Sequence, residues 1–256
     1  MPPIGGSRFA TWAILPRSRR YLASLHASLL DAACEPYRSA GRFAYYFARG
    51  KLRADPVYRA ILELGLLRGR ARVLDLGCGQ GLLAAWLKAA ERCYAQGTWP
   101  RAWPPAPETQ STRGIELMAR DVERARRALG SGSQVSQADI RSAAFGAVDA
   151  VVILDVLHYM NPEAQLQVLE RVRAALPPRG LLLLRVGDAA GGLRFHYGRW
   201  SDRFVMLIRG HSLVSQHCRS VAQWRSLLRQ CGFESEAKPM SQGTPFANVL
   251  LIAHAT

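Results

Sequence analysis

The chain has 256 residues, 49% of them apolar and 21% charged. That excludes wholesale disorder and suits one α/β domain with an appendage, or at most two small domains. Lysine plus arginine number 34 against 19 aspartates and glutamates, and this +15 balance reflects either an anionic partner or an arginine-rich coding bias.

All the basic residues are arginines except Lys51, Lys88 and Lys238. Through Arg72 there are 13 basic and 4 acidic residues, so +9 of the charge lies in this first part. No uncharged apolar run reaches the roughly 18 residues of a membrane-spanning helix. The longest candidate, residues 147–160, is interrupted by Asp149 and Asp155. Phe9 to Leu15 is apolar but short, and Pro16, Arg17, Arg19 and Arg20 follow it, so no signal peptide is expected. Five cysteines (Cys34, Cys78, Cys93, Cys218, Cys231) without a CxxC pair argue against a disulfide framework or zinc knuckle. A reducing, cytoplasmic compartment is expected.

Residues 1–18, with Pro2, Pro3, Gly5, Gly6 and Pro16, read as an irregular arm. From Arg19 to Ala33, Tyr21, Leu22, Leu25, Leu29 and Leu30 recur at helical spacing. Tyr37 to Lys51 is aromatic and basic. Asp55 followed by Pro56 is a cap and an N1 proline, and predicts a helix to about Leu67. Arg72–Leu76 is a short apolar strand, Gly81–Cys93 a helix, Gly114–Leu117 a second strand and Arg120–Leu129 a charged helix. Gln134–Asp139 is a third strand, and Val148–Leu154 is a strand, apolar apart from Asp149, of the kind covered on both faces. Pro162 opens a helix stopped by Pro177 and Pro178, Gly180–Val186 is the next strand, and Val221–Cys231 a helix ended by Gly232. Glu234–Pro239 and Phe246–Ala253 complete seven strands. This order predicts an α/β fold: a doubly wound, mainly parallel sheet with helices on both faces, behind an N-terminal helical cap.

Two stretches interrupt the alternation. Ala95–Thr112 holds Trp99, Trp103, Pro100, Pro104, Pro105 and Pro107, and reads as either a mobile cover over the acceptor pocket or a disordered surface loop. Residues 187–220, with His196 and His211, read as a lid on the substrate side.

The strand Val73-Leu74-Asp75-Leu76 runs into Gly77-Cys78-Gly79-Gln80-Gly81 and then a helix. Glycines there let a ligand approach the backbone, and the helix start adds free N–H groups and partial positive charge. Leu82 stands where the third glycine of a dinucleotide fingerprint belongs, which disfavours a nicotinamide or flavin enzyme.

The string VLDLGCGQG resembles the first motif of the class I S-adenosylmethionine-dependent methyltransferases, and the likeness extends over residues 55–256. Residues 1–54 are then the arm and cap. The resemblance implies a Rossmann-like fold with S-adenosylmethionine as cofactor. By it, Asp75, Gly77, Cys78, Gly79 and Gly81 line the methionine end. Glu116 would hold the ribose hydroxyls, with Leu117 on the adenine face. Gly77 to Glu116 spans 39 residues, against about 20 in comparable dinucleotide folds, and the Pro/Trp insertion accounts for the excess. Asp139 and Ile140 match the third-strand end, where an acid accepts from the adenine amino group. Asp155 and Val156 would offer backbone contacts beside the sulfonium. His158 is similar to a histidine found there in many small-molecule methyltransferases; it either takes a proton or packs.

No metal is expected. Asp155-Val156-Leu157-His158 is not the Asn/Asp-Pro-Pro-Tyr/Phe signature of amino-directed nucleic-acid methyltransferases. The expected partner is a small apolar or aromatic acceptor, such as a phenol or aromatic acid, free or carried on an acidic protein. Phe47 to Pro56 is similar to methyltransferases of bacterial aryl-polyene and polyketide-like pathways, which implies secondary metabolism. An anionic partner would meet the basic N-terminal surface. An RNA methyltransferase and a non-catalytic cofactor-binding protein are the competing readings.

Overall fold

The computed structural model describes residues 17–130, 134–189, 217–243 and 247–256, with side chains from residue 25. His196, His211, most of the 187–220 stretch and most of the N-terminal arm lie outside the described residues.

Helix α1 (Arg17–Cys34) leads through a 3-10 turn (Glu35–Arg38) into α2 (Arg42–Ala54) and α3 (Pro56–Glu63). The Asp55 side chain accepts from Val57 N at 3.1 Å, which caps α3 at the expected place. The helix stops at Glu63 rather than Leu67. Gly65 takes φ +61°, and Pro104 Cγ lies 2.9 Å from where a β-carbon would stand. The alternation that follows is β1 (Arg72–Leu76), α4 (Leu82–Ala95), β2 (Ser111–Glu116), α5 (Ala119–Leu129), β3 (Gln134–Gln137) and β4 (Ala150–Leu154). After it come α6 (Pro162–Ala175), β5 (Leu181–Gly187), α7 (Val221–Gln230), β6 (Phe233–Pro239) and β7 (Asn248–Ala255).

The strands form one sheet in the order β3-β2-β1-β4-β5-β7-β6. All pairs are parallel except those of β7, which runs antiparallel to β5 and β6. The order reverses at β1, where Asp75 lies between Gly114 and Val152. Alternate residues face opposite layers. Val73, Val152 and Leu183 pack with α1–α4 around Trp86, so the N-terminal helices share one core with the sheet. Leu74, Val151 and Leu184 pack with Leu169, Trp224 and Leu228 of α6 and α7 on the other face.

The Pro/Trp insertion is not where the sequence suggested. Gln110 and Ser111 N–H groups bond Ala71 O, at the amino end of β1. Trp99 and Trp103 are buried with rings 5.4 Å apart, and Trp99 Nε1 donates to Pro104 O at 2.9 Å. The insertion therefore plugs the amino end of the strands, whereas the glycine turn leaves β1 at its carboxyl end. A cover over the acceptor is overturned by this topology: the segment links the end of α4 to the start of β2, and its tryptophans find their partners there.

Candidate cofactor and methyl-transfer site

Gly77, Gly79 and Gly81 all have positive φ (+74°, +55°, +74°). Each is confined differently. A β-carbon on Gly77 would sit 2.3 Å from Val156 Cγ2, and one on Gly81 2.8 Å from Leu129 Cδ1. On Gly79 it would meet nothing within 4 Å. Thus Gly77 and Gly81 admit their neighbours, and Gly79 presents open backbone. The turn is pinned from behind, because Gly77 N and Cys78 N donate to Ile115 O at 2.8 and 3.2 Å. From the cap side, the Tyr37 hydroxyl donates to Gln80 O at 2.9 Å. Cys78 fills the space above Gly114, where a β-carbon would strike its Sγ at 2.6 Å. Burial and the nearby Asp75 push its thiol well up, so it is packing rather than a nucleophile.

Glu116 reaches the turn despite the long insertion. Its Oε2 accepts from Gly79 N and its Oε1 from Met118 N, both at 2.9 Å. Each carboxylate oxygen keeps a free lone-pair site that can take a hydroxyl. Leu117 beside it is 56% exposed. Open backbone at Gly79, a diol acceptor and a bare apolar side chain fit a nucleoside. Ile140 is buried at the third-strand end, but Asp139 is engaged. Its oxygens take the Arg141 N–H at 2.9 Å and the Arg141 guanidinium. An adenine amino group would have to share it.

Asp75 is buried and makes no hydrogen bond through its carboxyl to the described residues. Burial first, and the Glu116 charge second, push its pKa up to about 7. A cationic ligand is what would ionise such a group.

Asp155 leaves β4 with φ +60°, a strained conformation for a side-chain-bearing residue costing about 1–2 kcal/mol. Its carboxylate is gripped by Arg185, Nε to Oδ1 at 2.9 Å and Nη2 to Oδ2, so only its backbone remains for a ligand. Burial alone would raise its pKa, but Arg185 and Lys51 hold it below the usual range.

His158 follows in a 3-10 turn (Leu157–Tyr159) and is 9% exposed. Its Nε2 has no partner among the described residues. Burial lowers its pKa, against the pull of Asp155, and Arg185 adds to the lowering. The imidazole is therefore neutral at pH 7, with a ring nitrogen to spare. Gln165, wholly buried on α6, pins the segment: its Nε2 lies 3.1, 3.0 and 2.8 Å from Leu157 O, Met160 O and His217 O, which share its two hydrogens. Arg219 Nε in turn donates to Gln165 Oε1 at 2.7 Å.

Of the residues singled out in the sequence, the structure brings Glu116 into contact with the glycine turn that follows Asp75. Sequence reasoning missed Tyr37, Lys51 and Arg185. A lone arginine inside the run Leu181 to Val186 is the one signal that could have flagged the last. Among the described residues no group of His, Cys, Asp and Glu could hold a metal, and no helix is long and apolar enough to cross a membrane.

Comparison with known proteins gives the family and the fold. Residues 46–238, most of the chain, match the family model described as a methyltransferase domain. A curated relative, carboxy-S-adenosyl-L-methionine synthase of Chromohalobacter salexigens, is 32% identical over 143 residues, 52% of this chain and 48% of its own. The chain thus spans about half the length of that relative. An O-methyltransferase family protein of Burkholderia thailandensis superposes with TM-score 0.59 at 18% identity, covering 93% of this chain and 68% of the other. Magnesium protoporphyrin IX methyltransferase of Synechocystis PCC 6803, solved with bound S-adenosylhomocysteine, gives 0.54 at 18% identity, covering 92% and 100%. The chain belongs to the methyltransferase domain family, with the class I, S-adenosylmethionine-dependent fold.

Proposed function

We propose that the protein transfers the methyl group of S-adenosylmethionine to a small apolar or aromatic acceptor, with a hydroxyl as the attacked group and His158 as its base. The observation that carries this reading is the buried, unpartnered Nε2 of a neutral histidine at the carboxyl end of β4. The bound sulfonium supplies an electrophilic methyl. The chain's own task is to align, to exclude water and to take a proton. Glu116 holds the ribose hydroxyls, Gly79 admits the methionine end, and Asp75 carries the charge opposite its cationic part. His158 Nε2 accepts the acceptor's hydroxyl proton as the new bond forms. Phe43 and Phe47 support an aromatic acceptor: their rings stack at 5.9 Å along α2, in a row that ends at Lys51, 3.7 Å from Asp155. Five cysteines without a CxxC pair suit a reducing cytoplasm.

Calorimetry with S-adenosylmethionine is the first test. The wild type should bind, and Gly79→Arg should not, because its side chain fills the open space the methionine end needs. A panel of phenols and aromatic acids with methyl-labelled cofactor then tests the acceptor. Labelling of RNA but of no small acceptor would replace this reading with the RNA one.

A further inference from the structure

Arg185 has no role in the scheme above. It is 1% exposed, yet it carries the charge of a surface residue. One guanidinium grips both Asp155 oxygens, and its Nη1 reaches Asp55 Oδ1. Lys51 Nζ lies 2.8 Å from Asp55 and 3.7 Å from Asp155. Two cations thus meet two carboxylates drawn from three places: the α2–α3 junction, the end of β4 and the middle of β5.

Stability does not account for this cluster. A buried ion pair is on average no better than apolar packing of the same volume. The left-handed backbone of Asp155 is a second cost. Both fall at the carboxyl ends of parallel strands, where open α/β sheets bind their ligands. There is also a direct mechanical link. Val156 follows Asp155, and its Cγ2 occupies the space a side chain on Gly77 would need. The corner that Arg185 holds is therefore the wall against which the cofactor turn is folded. His158 stands three residues after Asp155 on the same corner.

We infer that Arg185 is a positioning residue: by gripping Asp155 and Asp55 together it sets the β4 corner against the glycine turn and against helices α2 and α3. It acts through Asp155 and Val156, not by contact with the cofactor. Lysine can restore its charge but not the fork that spans two carboxylates. The inference rests on the reading of the glycine turn as the S-adenosylmethionine site.

The test uses the full chain and S-adenosylhomocysteine as probe, so it needs no acceptor. Calorimetric affinity and amide hydrogen exchange are read for wild type, Arg185→Met, Arg185→Lys and Asp55→Asn. Leu228→Ala, a core truncation under α7 on the far sheet face, is the control for lost stability. Arg185→Met should weaken the probe by roughly tenfold and speed exchange at residues 154–160 and 50–57, while α6 stays protected. Arg185→Lys should recover part of the affinity. Leu228→Ala should melt earlier yet bind the probe as the wild type does. Asp55→Asn keeps the α3 cap, since asparagine caps as well as aspartate, and removes one charge from the knot. It should weaken the probe by roughly threefold, and it carries the test if Arg185→Met does not fold. Wild-type affinity in folded Arg185→Met or Asp55→Asn overturns the inference. So does an equal loss in Leu228→Ala, which would make the effect one of stability. A wild type that does not bind the probe fails the cofactor reading instead.

Discussion

Burial acts in opposite directions on the two titratable groups nearest the proposed reaction, and each direction has a consequence. His158 is kept neutral, so the base is ready without a neighbour to deprotonate it. Its pKa lies below the ordinary 6.5, so the midpoint of the acid limb of turnover should fall below pH 6.5. His158→Ala should remove that acid limb and lower turnover by roughly 10²–10⁴-fold, with little change in cofactor affinity. Near-normal turnover with weakened cofactor binding would make His158 a packing residue. Asp75 goes the other way, up to about 7 from 3.8. The groups that bear on it are Glu116 from β2, Cys78 from the turn, and Tyr37 and Tyr58 from the N-terminal helices. The folded state holds the proton more tightly than the unfolded chain. Stability from this group is thus complete below about pH 4 and is lost as pH rises toward 7. Asp75→Asn should stabilise the protein at pH 8 by on the order of 2–4 kcal/mol and change little at pH 4.5. Denaturant titrations at the two pH values, without cofactor, decide it; equal effects at both would mean Asp75 is ionised in the folded protein.

At the scale of elements, the insertion gives the clearest prediction because its expected role was overturned. Trp99 and Trp103 are core residues of the amino end of the sheet, in a cluster with Trp86 and Ala106. Trp99→Ala should cost about 3–5 kcal/mol of stability, as large aromatic truncations do, and leave S-adenosylhomocysteine affinity unaltered. Hydrogen exchange over 95–112 should be slow with and without cofactor; fast exchange that slows only on ligand binding would restore the lid. Composition could not foresee this placement. Prolines and tryptophans say that a segment is irregular and needs cover, but not which end of the sheet supplies the cover. The strands, by contrast, were legible from apolar runs such as Ala150–Leu154, and the first turn from its glycines. Glu116 was singled out because the resemblance to the methyltransferase family places an acid at the end of the second strand, whatever the length of the insertion before it. Helix α2 was illegible as a helix. Its buried stripe is Ala44, Ala48 and Leu52, too small to stand out among four aromatics, and Gly50 lies within it. The Arg185 knot was hidden for a different reason: its partners lie 130 and 30 residues away, and no local pattern joins them.

Over the whole molecule the question is what a +15 chain does with its charge. The described arginines are largely committed to the fold. Arg38, Arg49, Arg59, Arg72, Arg124, Arg127 and Arg141 pair with carboxylates. Arg113, Arg126, Arg171 and Arg173 donate to backbone carbonyls. Arginine's rigid fork suits it to such structural bonds. Among the described residues these arginines are spread over the 3-10 turn after α1, β1, β2, α2, α3, α5 and α6 and are held by local partners, unlike the free basic stripe that tracks a nucleic-acid backbone. Transfer RNA should therefore bind only as it binds any basic protein, with Kd no tighter than about 1 µM at 0.15 M salt and a steep loss as salt rises. S-adenosylmethionine affinity, set by buried groups that salt screens little, should hardly change over the same range. Filter binding and calorimetry across 0.05–0.5 M salt measure both. Nanomolar RNA affinity that survives 0.2 M salt would instead point to base contacts, and the small-molecule acceptor would have to give way to RNA.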